Sequence, residues 1–327
     1  MSTLHSHWIS LAAVAAVTLL LPSSAPVDGA PRAASIASTA APSSSPATAP
    51  RVATPAPPPA DADAVIVGAG DIASCTSSGD SATARLLDGI GETVYTLGDN
   101  AYPDGTAANF ARCYDKTWGR HKARTRPAVG NHEYHSAAAR AYFRYFGSAA
   151  GDPAKGYYSY DIGAWHVIVV NSNCGEVGGC RAGSVQERWI RRDLAASTRT
   201  CTLAYWHHPR FTSGSEHGNA TEMQPIWQAL HDYGAEIVLS GHNHQYERFA
   251  PQTPTGTLDT VRGIRQFVVG TGGASHYGFG KARPNSEVRN STAFGVLKLT
   301  LSVNSYTWQF VPVPGQTFTD SGTGTCH

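Results

Sequence analysis

Short apolar runs ending in polar residues mark the chain from residue 63 onward. AVIVGAGD ends at Asp71, TVYTLGD at Asp99, CTLAYWHH at His208 and EIVLSGHNH at His244; WHVIVVNSN covers 165–173 and IRQFVVGTGG covers 264–273. Runs of this length, rich in Val and Ile, predict buried strands. The stretch from Phe294 to Val313 predicts two antiparallel strands about Asn304. Helical patterns occupy 81–88, 184–196 and 222–233. Ser184 and Glu187 have the spacing of a capping box, and Gly234 supplies a stop. Strands alternating with helices predict an α/β layered domain. No repeat of fixed period is visible.

Asp71, Asp99, His207 and His242 each follow an apolar strand. Sites in α/β sheets form at the C-terminal strand edge, so these four are expected to meet along one edge. A glycine precedes Asp71, Asp99, Asn131 and His242, and is expected to let the backbone turn sharply off the strand.

The first 63 residues read differently. Residues 9–21, ISLAAVAAVTLLL, are too short to span a bilayer and fit the apolar core of a secretory signal. Residues 1–30 are therefore expected to be a signal peptide with no assigned cleavage site, although Lys and Arg are missing from its start. No paired arginines and no cysteine lie near it, which disfavours twin-arginine export and excludes a lipid-anchored cysteine. Ten of the 20 prolines fall between Pro22 and Pro59. The Ala/Pro/Ser/Thr-rich segment 31–63 buries too little apolar surface to offset chain entropy and reads as a disordered linker. Residues 64–327 form the folded domain, expected to be secreted or extracytoplasmic with no membrane span after signal removal.

Composition narrows the function. With 25 Lys+Arg against 24 Asp+Glu, the net charge of +1 implies no basic face, which argues against specific nucleic-acid binding. A hydrophobic share of 41% suffices for a core. Cys75, Cys113, Cys174, Cys180, Cys201 and Cys326 allow 15 pairings. Cys174 and Cys180 flank a short Gly-rich loop and are expected to pair, leaving Cys75–Cys113 and Cys201–Cys326 as working pairs. Their spacings match neither a zinc ribbon nor a redox CxxC. No GxSxG supports serine-based hydrolysis.

The polar blocks are GD at 70–71, GDNAY at 98–102, GNHE at 130–133, WHH at 206–208 and GHNH at 241–244. Their oxygen and nitrogen donors suit Fe, Mn or Zn. In GHNH the two histidines share one face if the segment is a strand, and can point at two neighbouring metals if it is a turn. GNHE followed by GHNH about 110 residues later resembles the calcineurin-like metallophosphoesterases. That resemblance implies a four-layer α/β/β/α sandwich of two mixed sheets flanked by helices.

Most such enzymes carry Asp-x-His in the first block. Here Ile72 and Ala73 follow Asp71, so that histidine is missing, while Tyr102 stands three residues after Asp99. This combination resembles the purple acid phosphatases of the small, single-domain type. The resemblance implies two metals: ferric iron held by Asp71, Tyr102 and His244, and a divalent Fe, Zn or Mn held by Asn131, His207 and His242, with Asp99 bridging. The family's His-x-Pro favours His207 over His208. Ala73 stands where the family usually has Gly.

The implied activity is hydrolysis of a small phosphate monoester by in-line attack of a metal-bound hydroxide. His132 would contact the phosphate and assist the leaving group, and Glu133 would orient His132 or its neighbours. His217, ten residues after His207, is a candidate substrate contact. A phosphodiesterase or nuclease on the same metal core, and a non-catalytic binding protein keeping the fold, are the alternatives. For Tyr102 the bland reading is a packed aromatic beside the site. His208 stays open, His276 could border the cleft, and His121, His135, His166 and His231 read as structural.

Overall fold

The structure is a computed structural model and describes residues 63–91 and 93–327. The expected signal peptide and nearly all of the expected linker lie outside the described residues.

The first sheet runs β13-β12-β11-β1-β2-β3. Its strands are β1 (Ala64–Ala69), β2 (Thr93–Leu97), β3 (Thr125–Ala128), β11 (Gly295–Leu301), β12 (Ser305–Pro312) and β13 (Ser321–Thr325). The second runs β10-β8-β9-β7-β6-β5-β4. It is built from β4 (Tyr158–Ile162), β5 (Trp165–Val169), β6 (Cys201–Tyr205), β7 (Ile237–Ser240), β8 (Tyr246–Phe249), β9 (Arg265–Val269) and β10 (Ser286–Asn290). Strands β1, β2 and β3 are mutually parallel, as are β5, β6, β7 and β9, while the remaining pairs are antiparallel.

Two-residue periodicity explains the layering. On β5, Val167 and Val169 join Tyr95, Leu97, Leu297 and Leu299 in the core shared by both sheets. Ile168 and Val170 face the other way and pack with Ile190, Leu194, Ile226 and Leu230 from the helices Val185–Ala196 and Gln224–Asp232. The helix Gly79–Asp88 contributes Ala84 and Leu87 to the first core. Two mixed sheets flanked by helices give the four-layer sandwich.

The helix over 184–196 starts as expected, with Ser184 Oγ accepting from the Glu187 amide at 3.3 Å. The reciprocal half of the box is displaced by one residue: Glu187 Oε2 accepts from the Gly183 amide at 2.9 Å. Residues 222–233 divide into a 3-10 turn, Thr221–Met223, and the helix Gln224–Asp232; Gly234 lies beyond its end at φ 69°. All three expected disulfides are present, with Cα separations of 5.0 Å for Cys75–Cys113, 5.2 Å for Cys174–Cys180 and 5.7 Å for Cys201–Cys326. Among the described residues, no helix is long and apolar enough to cross a membrane.

Candidate metal centre

The strand ends converge, but along a seam rather than one edge. Asp71 and Asp99 follow β1 and β2 of the first sheet, whereas His207 and His242 follow β6 and β7 of the second. Asn131 opens the short helix Asn131–Tyr134 after β3. The C-terminal ends of two packed sheets therefore face each other across the centre.

The glycines also act differently from expectation. Of Gly70, Gly98, Gly130 and Gly241, only Gly98 has positive φ, at 84°. The turns are made by the polar residues themselves: φ is 59° at Asp71, 49° at Asp99 and 69° at His242. Left-handed backbone at non-glycine residues persists only where its surroundings enforce it. Here Asp71 Oδ2 accepts from the His242 amide at 2.8 Å, and Glu133 Oε2 accepts from the Asp99 amide at 3.0 Å. The glycines permit close approach. A Cβ on Gly130 would stand 2.1 Å from Asp99 Oδ1, and one on Gly241 would stand 2.8 Å from Asp71 Oδ2.

Two clusters of donor atoms share one oxygen. In the first, the Tyr102 phenol oxygen lies 2.9 Å from Asp71 Oδ1, 3.1 Å from Asp99 Oδ2 and 3.0 Å from His244 Nε2. In the second, His207 Nε2 lies 2.9 Å from Asn131 Oδ1, 3.2 Å from His242 Nδ1 and 3.3 Å from Asp99 Oδ2. Asp99 Oδ2 belongs to both. All seven sequence-predicted ligands are brought together, and the GHNH segment is a turn in which His242 and His244 serve different clusters.

Hydrogen bonds set the ring orientations. His207 Nδ1 donates to the Leu97 carbonyl at 2.7 Å, which leaves Nε2 facing the cluster. His244 Nδ1 lies 2.6 Å from Ser275 Oγ, which turns its Nε2 toward Tyr102. Burial disfavours charge on His207, yet the Asp99 carboxylate outweighs it and raises this histidine to about 9. Burial, with Asp71 and Asp99 beside it, holds the Tyr102 phenol well above its ordinary value. His242 is lowered by burial and by its imidazole neighbours.

The expected substrate-side residues divide. The His132 ring lies 4.6 Å from Tyr102, its Nδ1 bonds the Pro103 carbonyl, and its Nε2 lies 3.7 Å from Asp99 Oδ2. His217 stacks on His242 at 4.1 Å. Glu133 is fully buried and accepts from the amides of Asp99, Asn100, Ala101 and Gly130. Among the described residues no hydrogen bond joins it to the His132 ring, so it fixes the backbone that carries Asp99 and Asn131. Burial, reinforced by Asp99, raises its carboxyl to about 7.

Three neighbours escaped sequence reasoning: Ser275, Tyr277, whose ring stacks on His244 at 4.0 Å, and Ser172, which bonds His208. The first two sit in the Gly-rich segment after β9, where His276 alone drew attention. His276 stacks on Phe294. His166 bridges Asp161 and Asp193 as a structural residue, and His121 bonds the Ala84 carbonyl. His135 stands at the rim, 4.6 Å from the His132 ring.

The donor set fits metal ions. The phenol has one proton for three acceptor-type neighbours, and the buried carboxylates raise a histidine's proton affinity, as a cation site would. Carboxylate, phenol and imidazole without thiolate suit Fe, Mn or Zn. The calcineurin-like phosphoesterase family model matches residues 56–246. The chain belongs to the calcineurin-like phosphoesterases.

Within that family the chain is similar to purple acid phosphatases. It is 30% identical over 131 residues to purple acid phosphatase 15 of Arabidopsis thaliana, covering 36% of this chain and 24% of that one. It is 27% identical over 182 residues to purple acid phosphatase 23 of the same plant, covering 50% and 38%. An uncharacterized Mycobacterium tuberculosis protein is 27% identical over 213 residues, covering 51% of this chain and 40% of that protein. The chain thus spans 24% to 40% of these relatives' lengths. Among solved structures, a purple acid phosphatase from yellow lupin seeds superposes with TM-score 0.67 at 20% identity, covering 82% of this chain and 55% of that one. The Plasmodium protein GAP50 superposes at 0.63 with 12% identity, covering 81% and 89%. At such identities the structures show the fold alone.

Proposed function

We propose that this phosphoesterase is an exported phosphatase that hydrolyses small phosphate monoesters at a two-metal centre. The observation carrying this reading is Asp99 Oδ2, common to both donor clusters. Asp71, Tyr102 and His244 would hold ferric iron, and Asn131, His207 and His242 a divalent Fe, Zn or Mn, with Asp99 between them. A cation at that end would have to displace the phenol proton, whose affinity burial and the Asp71 and Asp99 carboxylates raise. Two metals held there would supply Lewis acidity, lowering the pKa of water and drawing charge from phosphoryl oxygens.

The chain's own groups supply orientation and proton transfer. The Pro103 carbonyl only accepts, so His132 Nδ1 carries a proton and Nε2 is the nitrogen that faces the centre. As water attacks phosphorus and the ester bond opposite it breaks, His132 Nε2–H delivers a proton to the departing oxygen. His217, stacked on His242 and partly exposed, is placed to contact the phosphoryl group or its ester. Glu133 keeps the Asp99 and Gly130 amides in register. Export is supported by three disulfides, which persist in oxidising compartments.

A non-catalytic reading has one specific support: GAP50, which shares the fold, is described as an anchor in the inner membrane complex of Plasmodium. Turnover of p-nitrophenyl phosphate and bis-p-nitrophenyl phosphate, before and after chelation, decides among the readings. The proposal expects the monoester to be hydrolysed faster, with activity lost on chelation and regained with metal. Faster diester turnover supports the phosphodiesterase alternative, and no metal-dependent turnover of either supports the binding protein.

A further inference from the structure

His208 is the one histidine of the HHP segment that the family pattern leaves without a role. The structure fixes it at three points. Its amide donates to Ser172 Oγ at 3.0 Å, its carbonyl accepts from Trp206 Nε1 at 2.8 Å, and its Nδ1 lies 2.8 Å from the same Ser172 Oγ. Among the described residues its Nε2 makes no hydrogen bond. The ring packs 4.4 Å from His242 and 4.9 Å from His207. One donor atom from each of His207, His208 and His242 lies within 4.8 Å of the other two, the spacing of groups that can share a cation.

We infer that His208 is an additional nitrogen donor to the metal held by Asn131, His207 and His242, making that end a three-imidazole site. The inference rests on the two-metal reading above. It carries a consequence for metal choice: three imidazoles favour zinc over manganese more than two do, because manganese prefers oxygen donors. Ser172 is the positioning residue, since its hydroxyl turns Nδ1 away and leaves Nε2 for the metal, the usual arrangement of a metal-binding histidine and its hydrogen-bonded partner.

Calorimetric titration of the chelated full chain with Zn2+ and, separately, with Mn2+ tests this without reference to turnover. His208→Phe keeps the ring packing but removes the donor nitrogen, and His208→Gln keeps a polar partner for Ser172. Both are expected to lower the zinc-to-manganese affinity ratio at one of two sites by at least about tenfold. The Asp71/Tyr102/His244 end should be unchanged, and the metal-free proteins should melt like wild type. Ser172→Ala is expected to give a smaller loss. An unchanged ratio in His208→Phe overturns the inference, showing a packing role only. Weaker inhibition by inorganic phosphate with unchanged zinc affinity also overturns it, placing His208 against substrate. Should either substitution prevent folding, an unchanged ratio in Ser172→Ala counts against the inference. Wild type binding no metal at all refutes the two-metal reading, whereas wild type binding two with unaltered variants refutes only the role of His208.

Discussion

Asp99 Oδ2 stands 3.3 Å from His207 Nε2, and the two residues follow strands of different sheets. The contact spans the seam between the ends of β2 and β6. Below it, the rings of Tyr95 and Tyr205 lie 5.7 Å apart in the shared core, and Tyr205 donates to the Arg126 carbonyl of β3 at 2.9 Å. His207 Nδ1 makes a further tie to Leu97. Packing of the two sheets therefore closes each donor cluster, since each draws residues that follow strands of both.

Asp99 is the oxygen both clusters share, so Asp99→Ala should remove both metals rather than one. Metal analysis after gel filtration is expected to show less than one metal per chain, with phosphatase activity down by about a thousandfold or more. Retained activity would contradict the bridging role.

Tyr102 has its oxygen among Asp71, Asp99 and His244. If it binds ferric iron, the purified protein shows a broad visible absorption band, and Tyr102→Phe loses that band while the other cluster keeps its metal. A colourless wild type with zinc or manganese at both sites refutes the iron assignment and leaves the phosphoesterase intact.

Gly130 has no room for a side chain, because its Cβ would meet Asp99 Oδ1 and the Asp99 amide. Gly130→Ala is expected to cost about 1–3 kcal/mol of metal-free stability by overpacking, read from urea denaturation in chelator, and to weaken metal binding. An unchanged midpoint would contradict the close approach.

His166 lies 2.8 Å from both Asp161 Oδ1 and Asp193 Oδ2. Burial lowers its proton affinity, but the two carboxylates outweigh burial, and the net shift is upward. A raised folded value means the charged network stabilises fully below about pH 6.5, the unfolded value, and is lost as pH rises through the folded value. His166→Gln should therefore be less stable than wild type at about pH 6, with the gap narrowing as pH increases. Unfolding in chelator across that range measures it; a gap independent of pH would refute the charged network.

Much of this was legible in the chain because the ligand blocks sit directly after strongly apolar runs. β1, β2, β5, β6, β7 and β9 announce themselves through Val, Ile and Leu, and so do the residues that follow them. β3 was not apparent: it is four residues with a central proline, Pro127, tolerated because the strand lies at a sheet edge. β13, SGTGT, has no apolar side chain; Gly322 and Gly324 let the rings of Trp308 and Tyr306 close over it. The division of ligands between two sheets depends on strand order, which local pattern does not encode. Ser275 and Tyr277 gave no signal because a serine and a tyrosine in a glycine-rich loop look like any turn, and Ser172 gave none because a serine between two asparagines after β5 does too. Glycine before each ligand was visible, but its purpose, close approach rather than turning, required the neighbouring strand ends.

The most direct test of the central claim is a metal titration of the chelated full chain followed by p-nitrophenyl phosphate turnover. If Asp99 joins two metal sites that act together, activity rises only as the second equivalent binds and saturates at two metals per chain. Saturation at one equivalent, or turnover that chelation leaves untouched, would contradict it.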